Sequence, residues 1–306
     1  MTEPARAGAG AGVALVLGAA IAFSFKGILA KLLYAEGVSV PTLLALRFAI
    51  GLPLVWLIAR RTAPSRRPPT GAELAAVAIG GVLGFGLAPI TDFVALALID
   101  VSIERVILFS FPAFVLLFDS VRRRAFPSVR QWLALGLTQA GVVLTMGGFD
   151  VAKVMANLEG SLWAVSSAAF YAVYLMVNQA HGRTLGAARF TALGMTAGTA
   201  TVAVYFLALE PIAALNVSLV AWAYIAAIAV FCTVVPMIMF TEGIKRIGAA
   251  RASLVATIGP PWTVALAALI LGETFTMQQA AGGALVILGV LAIEGRLAWL
   301  TGRRDR

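Results

Sequence analysis

Ten long apolar segments occupy most of this chain, and the gaps between them are short. Each has roughly 20 mostly apolar residues, the length that a helix needs to span the hydrocarbon core of a bilayer. They run from 11 to 32, 41 to 59, 72 to 97, 103 to 121, 128 to 147, 159 to 179, 189 to 208, 217 to 241, 250 to 271 and 277 to 296. With 61% hydrophobic and 12% charged residues, the chain is far more apolar than a soluble domain. We therefore predict an all-α integral membrane protein with ten transmembrane helices in a lipid bilayer.

Of the 23 Lys and Arg residues, Lys26 and Arg47 lie within segments, and the other 21 are unevenly divided between the two sides of the segments. The side that holds most of them is expected to be cytoplasmic. Its eighteen are Arg6, Arg60, Arg61, Arg66, Arg67, Arg122, Arg123, Arg124, Arg130, Arg183, Arg189, Lys245, Arg246, Arg251, Arg296, Arg303, Arg304 and Arg306. The other side holds only Lys31, Arg105 and Lys153. We predict a bacterial inner (plasma) membrane protein with both termini in the cytoplasm and with its first segment retained, not cleaved as a signal.

Composition argues against several classes of function. The net charge of +9 is spread over many gaps and forms no contiguous basic face, so we expect no nucleic-acid partner. The only histidine, His181, and the only cysteine, Cys232, stand apart, and no metal-ligand cluster or phosphate loop occurs. We therefore predict no catalytic residue, no metal and no cofactor. A polytopic membrane enzyme and a channel stay as alternatives, although we find no polar ring that would form a channel filter.

The chain matches itself when it is shifted so that Pro112 aligns with Pro260, an offset that we call the repeat shift. The same shift aligns the capping-box pattern that starts at Ser128 with the one that starts at Thr276. We predict two five-helix repeats, 11–147 and 159–296. Since five is an odd number, the second repeat enters the membrane from the opposite side. Chance similarity of two apolar halves is the alternative; inverted repeats are typical of secondary transporters, whose sites lie near the midplane.

The second half carries the motifs of a known family. Gly259-Pro260-Pro261-Trp262, Leu271-Gly272-Glu273, Gln279, Gly282-Gly283 and Leu288-Gly289-Val290 resemble the second EamA domain of the drug/metabolite transporter superfamily. The resemblance covers essentially the whole chain and implies a ten-helix transporter. Arg122 to Arg124 stand where the family often has an acidic residue. This departure argues against a functional role for Glu273, which we interpret as a charge at a helix start.

Three charged residues lie well away from the ends of the apolar segments and are candidates for substrate binding: Lys26, Arg47 and Asp92. A charge at the bilayer centre costs about 2.5 to 3.5 kcal/mol on insertion scales, so such residues are functional candidates. An internal salt bridge from Asp92 to either base is the structural alternative. Because one acid cannot neutralise two bases, the other base is left to bind water, a carbonyl group or an anionic ligand.

Proline residues interrupt the segments at similar places in the two halves. Pro112 is paired with Pro260 at the repeat shift, and Pro89 is paired with Pro236 one residue away from that shift. A proline inside a helix removes a backbone hydrogen bond and kinks the helix. We predict that these four residues, together with Trp262, form hinges or cavity walls, with simple packing kinks as the alternative.

Aromatic and polar residues recur on one face of the sixth segment. They are Trp163, Ser167, Tyr171, Tyr174 and Asn178, spaced by three or four positions. The repeat shift pairs Tyr171 with Phe23 and Tyr174 with Lys26. We predict that the first and sixth segments face each other across a cavity and that these residues with Phe23 bind substrate. Anchoring at the membrane interface is the alternative for the Trp and Tyr residues.

The expected function is export of small metabolites by alternating access. The first segment contains a base and no acid, which argues against simple lipophilic cations as the main substrate. Among members of the family, the chain is similar to exporters of amino acids and aromatic compounds, and we expect zwitterions with an aromatic or other apolar part. Other metabolites or drugs are the alternative. Asp92 either binds a proton, which gives antiport, or stays paired, which gives exchange or facilitated diffusion. We expect a monomer.

Overall fold

The computed structural model describes residues 3–62, 67–99, 101–148, 151–271 and 276–294, and these ranges contain helices and no strands. The helices are α1 (Glu3–Ala35), α2 (Val40–Thr62), α3 (Gly71–Gly81), α4 (Ala88–Leu98), α5 (Val101–Leu108), α6 (Phe111–Arg123), α7 (Val129–Thr145), α8 (Val151–Ala156), α9 (Leu158–Leu185), α10 (Ala187–Leu209), α11 (Leu219–Ala229), α12 (Val235–Ile247), α13 (Ala249–Ala256), α14 (Gly259–Leu271) and α15 (Met277–Glu294). A π-helical segment, Val82–Leu87, joins α3 to α4, and a second one, Val230–Val234, joins α11 to α12. A short 3-10 helix, Ile212–Leu215, follows α10.

Every one of the ten predicted segments is helical over most of its length, and α8 is an additional short helix. Six stretches of the described chain are long and apolar enough to cross a membrane. They are Ala9–Lys26, Val40–Thr62, Gly71–Leu96, Leu158–Leu185, Ala187–Leu209 and Leu219–Ile247. The other four predicted segments are either divided, as in α5 with α6 and α13 with α14, or shorter, as in α7 and α15.

The helix starts follow from local capping. Ser128 accepts a hydrogen bond from the backbone N–H of Gln131, whose side chain in turn accepts one from the backbone N–H of Ser128. Thr276 and Gln279 form the same reciprocal pair at the start of α15. Each box satisfies two backbone donors that a helix start leaves free. The two predicted capping boxes are therefore present.

Elements of the first half recur in the second half at the repeat shift. Five elements start at equivalent positions in the two halves. The pairs are α3 with α11, the first π segment with the second, α5 with α13, α6 with α14, and α7 with α15. Pro112 and Pro260 stand at the second residue of α6 and α14, where the missing proline N–H would have no partner inside the helix. The shared sequence signals therefore produce equivalent breaks in equivalent helices.

Equivalent helices pack against each other in antiparallel pairs. The Arg130 side chain near the start of α7 donates hydrogen bonds to the carbonyl groups of Ala292 (2.7 Å) and Ile293 (2.8 Å) near the end of α15. At the other end of the pair, Gln278 donates to the carbonyl of Leu144 (3.4 Å). The repeat shift pairs Arg130 with Gln278 and Leu144 with Ala292, so the two contacts are equivalent. α2 likewise packs along α10, its counterpart at the repeat shift. The other two large contacts, α1 along α12 and α4 along α9, join helices that are not counterparts of each other.

The gaps rich in basic residues meet at one end of the helices. Arg189 donates to the carbonyl of Arg67 (2.9 Å), and Arg183 donates to that of Lys245 (2.7 Å). Gaps with few basic residues meet at the other end, where Ser218 donates to Glu36 (3.4 Å). The described gaps are thus sorted by charge between the two ends.

Candidate functional site

Five ionisable side chains from four helices come together in the first half of the chain, and we call them the charged cluster. They are Lys26 on α1, Arg47 on α2, Asp92 on α4, and Glu104 and Arg105 on α5. Electrostatic effects link these groups, since Lys26 is affected by each of the other four. The structure therefore brings together all three charged residues that were predicted from the sequence, and it adds Glu104 and Arg105.

Lys26 is paired with Asp92. The Lys26 Nζ atom lies 3.7 Å from Asp92 Oδ2, and 5.7 Å from the centre of the Phe93 ring. The Asp92 side chain is 4% exposed, whereas the Lys26 side chain is 22% exposed. A separation of 3.7 Å is too long for a strong hydrogen bond, so the contact is mainly electrostatic. The Lys26 ammonium is therefore the more accessible member of this pair.

Arg47 is buried and incompletely hydrogen-bonded. Arg47 is 6% exposed, and its guanidinium carbon lies 4.7 Å from the centre of the Phe48 ring. The Nε atom has no hydrogen-bond partner within the described chain. Because a buried donor without an acceptor is costly, this N–H is a place where a ligand acceptor would be stabilising.

Sequence reasoning did not identify Glu104, and it placed Arg105 among the outer-side charges. Glu104 is fully buried, and its Oε2 atom lies 3.3 Å from the Nε atom of Arg105. The Arg105 side chain is 19% exposed. An acid beside a base within an otherwise apolar stretch, from Ile103 to Phe109, was the available signal. Arg105 is thus part of the cluster and not a solvated loop residue.

The charged cluster contains three basic and two acidic groups. With all five ionised, it carries one positive charge in excess within the described chain. An unpaired charge in a low-dielectric interior is unfavourable unless water or a ligand compensates it. The imbalance predicted from Lys26, Arg47 and Asp92 therefore persists after Glu104 and Arg105 are included.

An aromatic cluster borders the charged one. It consists of Phe85, Phe111, Tyr171, Tyr174 and Phe190. Tyr174 contacts Phe85 edge-on at 5.1 Å and stacks on Tyr171 at 5.9 Å, between ring centres. Phe48, which lies under the Arg47 guanidinium, contacts Phe85 at 6.4 Å. A continuous aromatic path therefore leads from Arg47 to the two tyrosines.

Tyr174 is held in the core and does not line an open space in this conformation. It is 1% exposed, and a Cβ atom at Gly84 would lie 2.4 Å from its ring. Only glycine at that position of the first π segment lets the ring approach so closely. Tyr171 is half-buried beside it. Of the two predicted phenol groups, Tyr171 is therefore the more accessible.

Asn178 and Ser167 connect α9 to neighbouring helices. Asn178 donates to the hydroxyl of Thr241 on α12 (3.0 Å), and Ser167 donates to the carbonyl of Ala88 on α4 (2.8 Å). Both side chains are buried. Their described contacts are structural, and a role in binding substrate stays a prediction.

Comparison with known proteins shows the family. The profile of the EamA-like transporter family matches residues 10–147 and 158–294. The chain belongs to the EamA-like transporter family. It is similar to the uncharacterized transporter YcbK of Bacillus subtilis, with 32% identity over 97% of this chain and 96% of that protein. An uncharacterized transporter of Synechocystis sp. is 27% identical over 92% of this chain and 93% of its own.

A solved structure supports the same fold. This crystal structure has 20% sequence identity, a TM-score of 0.77, and a match that covers 95% of this chain and 99% of its own. The predicted resemblance to EamA transporters is therefore confirmed. The chain is a multi-pass membrane protein of a transporter family.

The four predicted prolines of this EamA transporter lie beside irregular backbone. Pro89 follows the first π segment and Pro236 follows the second, while Pro112 and Pro260 begin the second parts of divided helices. The Ala88 carbonyl accepts hydrogen bonds from Ser167 and also from Thr91 (3.1 Å). A π turn often marks a functional position in a helix. A hinge role for these prolines stays a prediction.

Three predicted residues are not members of the two clusters. The Phe23 ring contacts the Phe240 ring of α12 edge-on, with 6.5 Å between the ring centres. This ring contact is with α12 and not with α9. Trp163 and Trp262 are each 39% exposed. Glu273 and the side chains of Lys31 and Lys153 lie outside the described residues.

Two cavities lie at opposite ends of the described helices, and neither includes the charged cluster. One of about 340 Å³ is lined by Asp119, Arg123, Arg130 and Gln179, and one of about 310 Å³ by Glu36, Ser39 and Asn216. In the described ranges, no three or more His, Cys, Asp and Glu side chains are placed to hold a metal ion.

Proposed function

We propose that this EamA transporter exports small metabolites by alternating access, and that its substrates are amino acids with aromatic or other apolar side chains. The excess positive charge of the charged cluster is the observation that carries this proposal. A substrate carboxylate would pair with the base that the two acids leave without a counter-ion. Lys26 is accessible enough to receive that carboxylate, and Arg47 Nε is the unpartnered donor behind it.

The remaining parts of a zwitterion also find matching groups. Asp92 Oδ1 is buried without a hydrogen-bond donor in the described chain, so it would accept a hydrogen bond from the substrate ammonium. Phe93 lies beside Lys26, and Phe48 lies beside Arg47. These rings would contact the apolar part of the substrate. The site combines charges of both signs with aromatic surface, which suits a zwitterion better than a lipophilic cation.

Alternating access would use ten transmembrane helices arranged as two inverted repeats, 11–147 and 159–296. Support comes from the helix starts that recur at the repeat shift and from the antiparallel packing of α7 on α15. One repeat would rock against the other. The π segments and their prolines are the places where the backbone hydrogen bonding is already irregular, and they would act as hinges.

We place the transporter in the bacterial inner membrane with both termini in the cytoplasm. The basic gaps that meet at one end of the helices support this orientation, since basic loops stay on the cytoplasmic side. Cysteine labelling from either side of sealed cells, at one engineered position in each gap, would test it. Labelling of the 60–67 gap from outside would contradict it.

Counterflow in proteoliposomes tests the function. Vesicles loaded with unlabelled amino acid should accumulate the same labelled amino acid transiently, which an enzyme or an open pore would not produce. The panel should include L-phenylalanine, L-leucine, L-lysine, a carboxylate without an amine, and a lipophilic cation. Counterflow with the neutral apolar amino acids is expected. Counterflow with the lipophilic cation alone would assign drug export instead.

A further inference from the structure

Three buried carboxyl oxygens of the charged cluster have no hydrogen-bond donor in the described chain: Asp92 Oδ1, Glu104 Oε1 and Glu104 Oε2. Asp92 is 3% exposed and Glu104 is 0% exposed. Asp92 lies on α4 and Glu104 on α5, two helices that pack against each other, and each carboxyl group affects the ionisation of the other. A hydrogen bond between them would require a proton, because an ionised carboxylate only accepts.

The positions of the neighbouring bases explain why both carboxyl groups lie here and why the bases do not satisfy them. Lys26 approaches Asp92 through Oδ2 at 3.7 Å, and Arg105 approaches Glu104 through Oε2 at 3.3 Å without the alignment of a hydrogen bond. Arg47 also acts electrostatically on Asp92, and Asp92 in turn acts on Tyr34. α7 and α9, which pack on α5, contribute apolar contacts through Val142 and Ala164.

We propose that Asp92 and Glu104 together hold one exchangeable proton and form the proton-binding site of the transporter. Two neighbouring like charges in a buried site favour a form in which the pair shares one proton. That proton makes one carboxyl a donor and the other an acceptor, so it satisfies two unpartnered oxygens at once. Glu104, whose two carboxyl oxygens have no hydrogen-bond donor in the described chain, thereby acquires a role.

The pair also gives a reason for antiport, and this step rests on the proposed function. The substrate ammonium would take Asp92 Oδ1 as its acceptor, and the same oxygen faces the shared proton. Ammonium binding would release the proton to the side where the substrate enters, and proton binding from the opposite side would release the substrate. Competition for one pair of carboxyl groups would thus couple inward proton movement to outward movement of the amino acid.

Infrared spectroscopy of the purified full-length protein, without substrate, tests the shared proton. The difference spectrum between the unsubstituted protein and Glu104→Gln should contain the C=O band of one protonated carboxyl group, and this band should shift in D₂O. Asp92→Asn should remove the same band. Glu159→Gln, an exposed acid on α9, is the matched control and should leave it in place. A spectrum in which neither substitution removes a protonated carboxyl band would overturn the proposal, whether or not the protein transports amino acids.

Accumulation driven by a pH gradient tests the coupling. At a gradient of about one pH unit, one-for-one antiport should raise L-phenylalanine accumulation up to about tenfold over the same vesicles without a gradient. In Glu104→Gln this ratio should fall to about one, and because it is taken within one variant, it is independent of that variant's absolute rate. A protein that shows counterflow but keeps its full pH-gradient ratio in Glu104→Gln would refute the proton site and leave the proposed function standing. Absence of counterflow in the unsubstituted protein would instead refute the function.

Discussion

The two halves of this transporter share a backbone plan but differ in chemistry. The five members of the charged cluster all lie in the first half. Their counterparts at the repeat shift are Tyr174, Met195, Phe240, Ala252 and Ser253, which are uncharged and buried. The Pro112 and Pro260 helix starts and the two capping boxes recur in both halves. The charged groups of the proposed site do not.

The two π segments show the same contrast at close range. In the first, the ring of Tyr174 packs on Gly84. The counterparts of these two residues are Lys26 and Cys232, and the Lys26 charge acts on the Cys232 thiol in the second segment. One position therefore holds an enclosed phenol in one half and a partly exposed ammonium in the other. In the proposed function, one half supplies a packed support and the other supplies the binding groups.

The largest effect is expected when a charged residue of the first half is replaced by its counterpart from the second half. Arg47→Met replaces the buried guanidinium by the residue type at 195, and we expect the apparent affinity for L-phenylalanine in counterflow to fall about tenfold or more, the value of a hydrogen bond to a charged group. Thermal stability should be unchanged or higher, since an excess buried charge is removed. Arg61→Met, at an exposed position of the same helix, is the control. Lower stability with unchanged transport would make Arg47 a structural residue.

Gly84→Ala should disrupt the packing of the Tyr174 ring without touching the charges. The added methyl group would overlap the Tyr174 ring, so we expect a loss of about 1–3 kcal/mol in stability, seen as a lower melting temperature. Gly136→Ala on α7 is the matched control, because no atom lies within 4 Å of its would-be Cβ. Equal melting temperatures for the two variants would show that the ring does not pack on Gly84.

Arg130→Gln makes the two ends of the α7 and α15 pair alike. The variant loses the two hydrogen bonds to Ala292 and Ile293 that Gln278 does not reproduce at the other end. We expect a loss of about 1 kcal/mol, which thermal unfolding would measure. Gln278→Ala should cost less, because its single contact is longer. A larger effect for Gln278→Ala would contradict the proposed geometry of the pair.

Ser167→Ala should have the smallest effect. Ala88 keeps its hydrogen bond from Thr91 when that from Ser167 is removed, so no buried carbonyl is left unsatisfied. We expect about 0.5 kcal/mol of destabilisation and little change in transport. Strong loss of counterflow at unchanged stability would place Ser167 in contact with the substrate.

Much of the fold could be predicted from sequence because apolar length and capping patterns act locally. All ten predicted segments are helical, and both predicted capping boxes form. The π segments could not be predicted, since hydropathy is the same for an α and a π turn. The division of α5 from α6 was indicated only indirectly, by Pro112.

The candidate site could be predicted in part. Lys26, Arg47 and Asp92 stood out because a charge inside an apolar segment is rare. Glu104 and Arg105 were missed because they lie near a helix start, where a charge is usually solvated, and only tertiary packing buries them. The burial of Tyr174 depends on Gly84 of another helix, a contact that periodicity within α9 does not contain.

A comparison of L-phenylalanine with L-phenylalaninamide as inhibitors of counterflow tests the central claim most directly. The amide lacks the carboxylate that would neutralise the charged cluster. In the unsubstituted protein the amide should inhibit at least about tenfold more weakly, and in Arg47→Met the two should inhibit about equally. Equal inhibition by both compounds in the unsubstituted protein would contradict recognition of a carboxylate by this cluster.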